Sequence, residues 1–196
     1  ITASGVDGGS TDACGPLTLS IDISSFDCTS VGPNTVTLTA TDVNGNAGTC
    51  TSTVTAEDNV SPDALCQDIT IQLDASGAAT ITEADVNAGS SDACGLANVS
   101  LDITSFDCAA IGPNTVSLTV EDNNGNTSTC TSAVTVEDNV APIAICQGLT
   151  VQLDVVGNGS TSAGAVDAGS NDACGVASVV LSQTDFDCSN VGANTV

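Results

Sequence analysis

The chain repeats itself with a fixed period, and this period constrains its fold more than any other feature. The stretch from Asn34 to Cys66 returns with few changes at Asn114 to Cys146, so one period is about 80 residues long. A fixed period of this kind is typical of tandem structural units. It divides the sequence into a partial unit over 1–60, a complete unit over 61–140 and a partial unit over 141–196. We therefore expect the chain to be a window on a longer array.

Within a unit, short runs of alternating apolar and polar residues predict β-strands. Val116, Leu118 and Val120 alternate with Thr and Ser, which is the period of a half-buried strand. Asp122–Asn126 follows, and its Asn-Gly pair predicts a hairpin turn. No segment has helical periodicity. Further strands are predicted over 66–74, 79–82, 97–104 and 129–136. So many short strands in one unit indicate a small β-sandwich.

Five motifs carry a family resemblance. They are Val-Gly-Pro-Asn-Thr-Val at 31–36, Asp-Asn-x-x-Pro at 58–62, Cys-Gln-Asp-Ile-Thr at 66–70, Ser-Asp-Ala-Cys-Gly at 91–95 and Asp-x-Asn-Gly-Asn-x-x-Thr-Cys at 122–130. Together they resemble the hyalin repeat, above all the variants found in tandem in very large surface adhesins of gliding and other Bacteroidota. The resemblance implies export, adhesion and an immunoglobulin-like sandwich. The predicted fold class is therefore all-β, with tandem immunoglobulin- or fibronectin-III-like sandwiches stapled by disulfides.

The charge and the cysteine content of the chain indicate its possible partners and its cellular compartment. The chain has 24 acidic residues and no Lys, Arg or His, which gives a net charge of −24. This charge excludes nucleic acid as a partner, and no apolar run is long enough to insert into a membrane. Ten cysteines without His or a CxxC motif indicate disulfides rather than zinc. We therefore expect an extracellular or cell-surface protein.

The cysteine pairing follows from the expected sandwich. In such a fold the first and last strands run parallel, and Cys66 and Cys130 each begin one of them, so the two can approach within disulfide range. A bridge between Cys130 and Cys146 is rejected because about 20 Å of strand would separate the two residues. The remaining pairs are assigned within each copy, as Cys14–Cys28, Cys94–Cys108 and Cys174–Cys188.

The residue types present argue against an enzyme. General acid–base catalysis normally uses His, Lys, Tyr or a perturbed carboxylate, and the first three are absent. Serines and threonines have no partner base, so a nucleophilic triad cannot be assembled. Paired carboxylates could serve a glycosidase, but the chain has no Trp or Tyr to stack on a sugar.

Acidic residues that recur at the same position in each copy suggest calcium binding. In a sandwich, the loop with Asp92 and the turn at Asp122–Asn126 lie at the pole that faces the incoming linker. Carboxylate and amide oxygens from three segments suit Ca²⁺. Hairpin-turn chemistry and loop capping would explain the same residues without a metal. The predicted ligands are Glu57, Asp58, Asn59, Asp92, Asp122, Asn124, Asn126, Glu137, Asp138 and Asp172.

These observations support a structural stalk or fibre segment of a large secreted adhesin. Copies that differ so little favour a spacer over a binding surface, which would concentrate its differences in one loop. The units are expected to follow one another end to end, each advancing by about 40 Å. The alternative is an extracellular module that binds a ligand or glycan through its own loops. Expected partners are neighbouring repeats, other copies in a fibre or surface glycans.

Overall fold

The computed structural model describes every residue from Ile1 to Val196, and β structure dominates it. Strands together with isolated β-bridges contain 38% of the residues, and α- and 3₁₀-helices contain 11%, so the prediction of a mainly β protein is confirmed. The α-helices are α1 (Ala3–Val6), α2 (Glu83–Val86) and α3 (Ala163–Val166), and each begins one period after the one before it. They were not predicted because a single helical turn is too short to leave a periodic pattern.

The strands carry the short alternating segments seen in the sequence. In chain order they are β1 (Thr18–Ile21), β2 (Gly32–Thr41), β3 (Ala47–Ala56), β4 (Ile69–Gln72), β5 (Ala78–Thr80), β6 (Leu96–Leu101), β7 (Ser105–Asp107), β8 (Gly112–Asp122), β9 (Thr127–Glu137), β10 (Gly159–Ser160) and β11 (Asp185–Phe186). Three 3₁₀ turns complete the elements, at Cys28–Ser30, Cys108–Ala110 and Cys188–Asn190. Each 3₁₀ turn begins at a cysteine, and successive turns are again one period apart.

The strands form several sheets. One is antiparallel with the order β1-β2-β3, and another has the order β4-β9-β8-β6. In the second sheet β4 and β9 are parallel, with Ile69 opposite Val134. This confirms the prediction that the first and last strands of the complete unit run in the same direction. Two-stranded pairs, β5 with β7 and β10 with β11, complete the pairing.

The apolar side chains of the alternating strands form the core. Val116, Leu118 and Val120 of β8 are fully buried, as their alternation predicted. One cluster of buried side chains joins Val116 to β9 and to Phe106. Each such side chain contributes about 1.5–3 kcal/mol when it leaves water. Ile103 lies within the strand predicted over 97–104, but it is exposed, and β6 ends before reaching it, at Leu101.

Contacts divide the chain into two compact units. One consists of Ile1–Ala64, Gly89–Ser100 and Thr119–Thr129, and contains β1, β2 and β3. The other consists of Leu65–Ala88, Leu101–Leu118 and Cys130–Val196, and contains the buried cluster around Val116 and Phe106. The domain boundaries that follow from the sequence period stay a prediction. No helix of the structure has the length and apolar character needed to cross a bilayer.

Candidate functional site

The first disulfide joins the two strands that the sequence analysis paired. Cys66 is bonded to Cys130 with their Cα atoms 5.8 Å apart, and we call this the central bridge. Cys66 lies just before β4 and Cys130 lies in β9, so the parallel pairing of these strands brings the two residues together. The buried hydroxyl of Ser132 donates to the carbonyl of Gln67 at 2.7 Å and ties the same two segments. The predicted Cys66–Cys130 bridge is therefore confirmed.

The other two disulfides connect one copy of the sequence repeat to the next. Cys28 is bonded to Cys94, the first crossing bridge, and Cys108 is bonded to Cys174, the second crossing bridge. Both have a sequence separation of 66 residues and a Cα–Cα distance of 5.1 Å. Each cysteine of the second bridge stands one period after its counterpart in the first. The two bridges are thus the same connection made twice.

Three predicted disulfides are consequently wrong. They are Cys14–Cys28, Cys94–Cys108 and Cys174–Cys188. The extended strand β6 lies between Cys94 and Cys108, and six extended residues span about 20 Å, well beyond the reach of a disulfide. Cys14 and Cys188, which were expected to be bonded, are free and exposed, as are Cys50 and Cys146. The sequence period alone could not show which cysteines pair. A cysteine and its equivalent one period later occupy the same position in the repeat, so either could be the partner.

Recurrent aspartates fix the backbone at both cysteines of the crossing bridges. Asp107 precedes Cys108, and its Oδ1 accepts from the N–H of Ala109 at 2.9 Å, which caps the 3₁₀ turn. The Oδ1 of Asp92 accepts from the N–H of Cys94 at 2.7 Å. The equivalent contacts are made by Asp27 to Thr29 and by Asp172 to Cys174. These acids recur in each copy partly because they hold the bridging cysteines in place.

Hydroxyl and amide donors lower the pKa of two aspartates that precede these 3₁₀ turns, Asp27 and Asp187. The Thr29 hydroxyl donates to Asp27 at 2.6 Å, and with the hydroxyl of Ser30 and the N–H of Thr29 it lowers the pKa of Asp27. The hydroxyl and the N–H of Ser189 lower the pKa of Asp187 in the same way. Both carboxylates are therefore stabilised in their charged form by their own turns.

A tight turn packs directly against the second crossing bridge. The Oδ1 of Asp74 accepts from the N–H and hydroxyl of Ser76 at 2.8 and 2.6 Å and from the N–H of Ala78 at 3.1 Å. Gly77 has φ of +77°, and a Cβ there would lie 2.7 Å from the Sγ of Cys108. Only glycine fits both the backbone conformation and the space beside the sulfur.

An equivalent turn, one period later, lies beside the free cysteine Cys188. Gly157 stands one period after Gly77 and has φ of +85°. Its carbonyl lies 3.9 Å from the Sγ of Cys188, compared with 3.8 Å between Gly77 and Cys108. The free thiol of Cys188 therefore occupies the position that the bonded sulfur of Cys108 occupies in the preceding copy.

Three acidic segments meet beside the first crossing bridge. The carboxylate oxygens of Asp58 and Asp92 and the Sγ of Cys94 lie within 4.8 Å of one another. Two asparagines of the turn after β8 donate into this group: Asn126 to the carbonyl of Asp58 at 3.0 Å, and Asn123 to the carbonyl of Cys94 at 2.8 Å. The linker, the loop and the turn are therefore neighbours, as the sequence analysis placed them.

Asp58 is the unusual member of this acidic group. Its Oδ1 accepts from the N–H of Val60 at 3.1 Å, whereas its Oδ2 is buried and has no hydrogen-bond donor. The chain has no basic side chain to neutralise the neighbouring carboxylate of Asp92. At 4.8 Å two negative charges repel by about 3–4 kcal/mol at an effective dielectric of about 20. The bonded sulfur of Cys94 is not a thiolate, so the oxygens are the atoms suited to a cation.

Asp122 lies close by, but its own turn satisfies its carboxylate. Its Oδ1 accepts from the N–H groups of Asn124 and Asn126 at 2.8 Å each, and its Oδ2 accepts from the amide of Asn126 at 2.7 Å. Burial raises the pKa of Asp122, but these hydrogen bonds outweigh it and the net pKa is lowered. The contacts of Asp122, Asn124 and Asn126 are thus those of a hairpin turn, the metal-free alternative raised by the sequence.

The acidic pair occurs a second time, one period further along the chain. Carboxylate oxygens of Asp138 and Asp172 and the Sγ of Cys174 also lie within 4.8 Å of one another, beside the second crossing bridge. Asp138 and Asp172 are the equivalents of Asp58 and Asp92 in the sequence period. The chain therefore contains two versions of one arrangement, which provides an internal comparison.

The remaining predicted ligands bind neighbouring side chains. The Oε2 of Glu137 accepts from the amide of Gln72 at 2.6 Å, which ties β9 to β4. Glu57 and Asn59 bind each other, with Asn59 donating to the Oε2 of Glu57 at 3.2 Å. Glu57, Asn59 and Glu137 were predicted as calcium ligands together with the aspartates. The carboxylates that lie within 4.8 Å of each other are only those of the aspartate pairs.

No family model matches the chain, and no curated protein sequence matches it. Its class therefore has to be taken from its own residues and bonds. The fold and the three disulfides define a disulfide-bonded β protein, and such bonds form and persist in oxidising compartments outside the cytosol.

Proposed function

We propose that the chain is a segment of an extracellular stalk or fibre, made of tandem β-sandwich repeats that resemble the hyalin repeat. The observation that carries this proposal is the pair of crossing bridges, which bond residues of successive sequence copies. A spacer works under tension along its chain, so covalent bonds between copies serve it directly. The same bonds would add little to a protein that only presents a binding loop.

The internal use of the loop residues also favours a spacer over a glycan-binding module. Asp92 caps the backbone of Cys94, and Asp122 accepts three hydrogen bonds from its own turn. Asn123 and Asn126 donate to backbone carbonyls nearby. The polar groups of Asp92, Asp122, Asn123 and Asn126 are therefore engaged in holding the loops together.

Labelling of intact cells that produce the protein tests this function. Gold-labelled antibodies against residues 61–140 should mark filaments or projections that stand away from the cell surface. Label confined to the cell interior would refute the proposal. Binding of the oxidised chain to a glycan array at micromolar concentration would instead favour the module that acts through its own loops.

We also propose that the stalk binds Ca²⁺ between Asp58 and Asp92, and between Asp138 and Asp172. The buried Oδ2 of Asp58 without a donor, next to a second carboxylate, supports this proposal. Calcium accepts irregular shells of oxygen ligands at about 2.3–2.6 Å. With only two carboxylates for each ion, the expected affinity is millimolar, as in other extracellular modules.

Calorimetry with matched variants tests the calcium site. Wild-type protein should melt at a higher temperature in millimolar CaCl₂ than in excess chelator, because a ligand that binds only the folded state stabilises it. Asp58→Asn should reduce this calcium-dependent shift. Asp63→Asn removes the same charge from an exposed residue in the same linker and should leave the shift intact. Equal shifts in both variants would show that calcium acts elsewhere or only as a counterion.

A further inference from the structure

The crossing bridges create a covalent shortcut through the chain. From Cys28 the first crossing bridge leads to Cys94, and the short segment 94–108 then leads to Cys108, where the second crossing bridge reaches Cys174. When a chain is pulled, its ends cannot separate by more than the shortest covalent path between them. Segment 94–108 alone therefore limits the distance between Cys28 and Cys174, although most of the sequence lies between these two residues.

We propose that the crossing bridges limit how far Cys28 and Cys174 can separate under load, so that unfolding of the sheets cannot release most of the chain between them. An extended residue spans about 3.3–3.6 Å. Segment 94–108 and two bridges of 5.1 Å therefore reach about 60 Å at most. The stretch from Cys28 to Cys174 without bridges would reach about 500 Å when its sheets unfold. The bridges thus remove nearly nine-tenths of the length that unfolding could release.

Segment 94–108 is short, and regular structure occupies much of it. Six of its residues form β6, which is extended in the folded protein. Its two ends are held by the backbone contacts of Asp92 at Cys94 and of Asp107 beside Cys108. Gly95 packs against Asn123 so closely that a Cβ would lie 2.8 Å from the amide nitrogen. The load path is thus a short segment whose two ends are held by hydrogen bonds to aspartates.

The central bridge has a different role, because it lies off this path. Removing it leaves segment 94–108 as the limit. Removing the first crossing bridge forces the path through the central bridge, along segment 28–66 to Cys66 and then from Cys130 back along segment 108–130 to Cys108. The limit between Cys28 and Cys174 then rises to about 220 Å.

The two kinds of bridge can therefore be separated by experiment. The central bridge has a sequence separation of 64 and the first crossing bridge one of 66, so their removal should cost similar stability. Only removal of the crossing bridge should lengthen the covalent path. A measurement of length under force distinguishes the two, whereas a measurement of stability does not.

This inference rests on the proposed function for its biological meaning, because a stalk that lengthens several-fold could not hold its distal part at a defined distance. The physical claim can be measured without it. A chain that stays short under force but is absent from the cell surface would overturn the stalk and leave the shortcut. A chain found on filaments that stretches freely would overturn the shortcut and leave the stalk.

Single-molecule stretching of the whole chain tests the shortcut. For this experiment the protein is attached through cysteine-free handles at both termini. Its four free cysteines are replaced by serine to prevent thiol–disulfide exchange. With the tails before Cys28 and after Cys174 included, the oxidised chain should extend to about 230 Å. A C28S/C94S variant should reach about 390 Å, whereas a C66S/C130S variant should stay near the oxidised length. Full reduction by dithiothreitol should give about 670 Å in every variant that folds.

Two results would overturn the proposal. One is an oxidised chain that extends well beyond its expected limit, because the crossing bridges would then not carry the load. The other is equal lengthening by C28S/C94S and C66S/C130S, since the central bridge would then lie on the load path. Both outcomes are read as lengths, so a loss of stability in either variant changes the unfolding force and not the conclusion.

Discussion

Replacing Gly77 by alanine should destabilise the protein through the second crossing bridge. The new Cβ would lie 2.7 Å from the Sγ of Cys108, a distance that packed atoms do not adopt, and a tight 3.1 Å from the Cβ of Ala173. The φ of +77° adds about 1–2 kcal/mol for any residue other than glycine. The overpacking against Cys108 should lower the free energy of unfolding by about 1–3 kcal/mol more. We therefore expect a total loss of about 2–5 kcal/mol.

Gly125 provides the matched control for this change. It has φ of +89°, and a Cβ there would meet no atom within 4 Å. Its N–H donates to the carbonyl of Asp122, just as the N–H of Gly77 donates to the carbonyl of Asp74. Gly125→Ala should therefore lose only the backbone contribution of about 1–2 kcal/mol.

Guanidinium unfolding of both variants, with disulfides intact, measures the difference. Thiol titration after oxidative refolding adds a second readout, the number of thiols left unpaired. In Gly77→Ala the displaced turn should slow formation of the bond between Cys108 and Cys174. Equal losses of stability in the two variants, together with complete bridging in both, would contradict the packing of this turn on the sulfur.

The bridges and the carboxylates give three further predictions. Serine pairs that remove the central bridge or the first crossing bridge should each lower the unfolding free energy by about 4 kcal/mol, because their sequence separations of 64 and 66 are similar; denaturant titration checks this. In excess chelator, Asp58→Asn should melt above the wild type in calorimetry, because it removes a charge that repels Asp92. The lowered pKa values of Asp27 and Asp122 give stability that is complete above the ordinary value of 3.8 and is lost as pH falls through the folded values. The free energy of unfolding, measured by denaturant titration with circular dichroism, should therefore fall below about pH 4.

The strand arrangement and the central bridge could be predicted because local sequence determines them. Alternation fixes which residues of β8 face the core, and the Asn-Gly turn fixes the hairpin between β8 and β9. The parallel direction of β4 and β9 then places Cys66 beside Cys130. Each of these steps needs only the geometry of one sequence copy.

The crossing bridges could not be predicted in the same way, because they depend on contacts between residues of different copies. A spacing pattern that returns with every period is equally consistent with a partner in the same copy or in the next one. The length of β6 was the available signal, since it separates Cys94 from Cys108. The recurrence of Asp92 and Asp107 also has a local cause that composition does not reveal, namely the capping of the bridging cysteines.

Peptide mapping under non-reducing conditions tests the central claim most directly. Trypsin has no site in the chain, but a protease that cleaves at aspartate separates all the relevant cysteines. Mass spectrometry should find a peptide with Cys28 linked to one with Cys94, and a peptide with Cys108 linked to one with Cys174. A peptide pair that links Cys94 to Cys108 would contradict the crossing bridges, and with them both the stalk argument and the covalent shortcut.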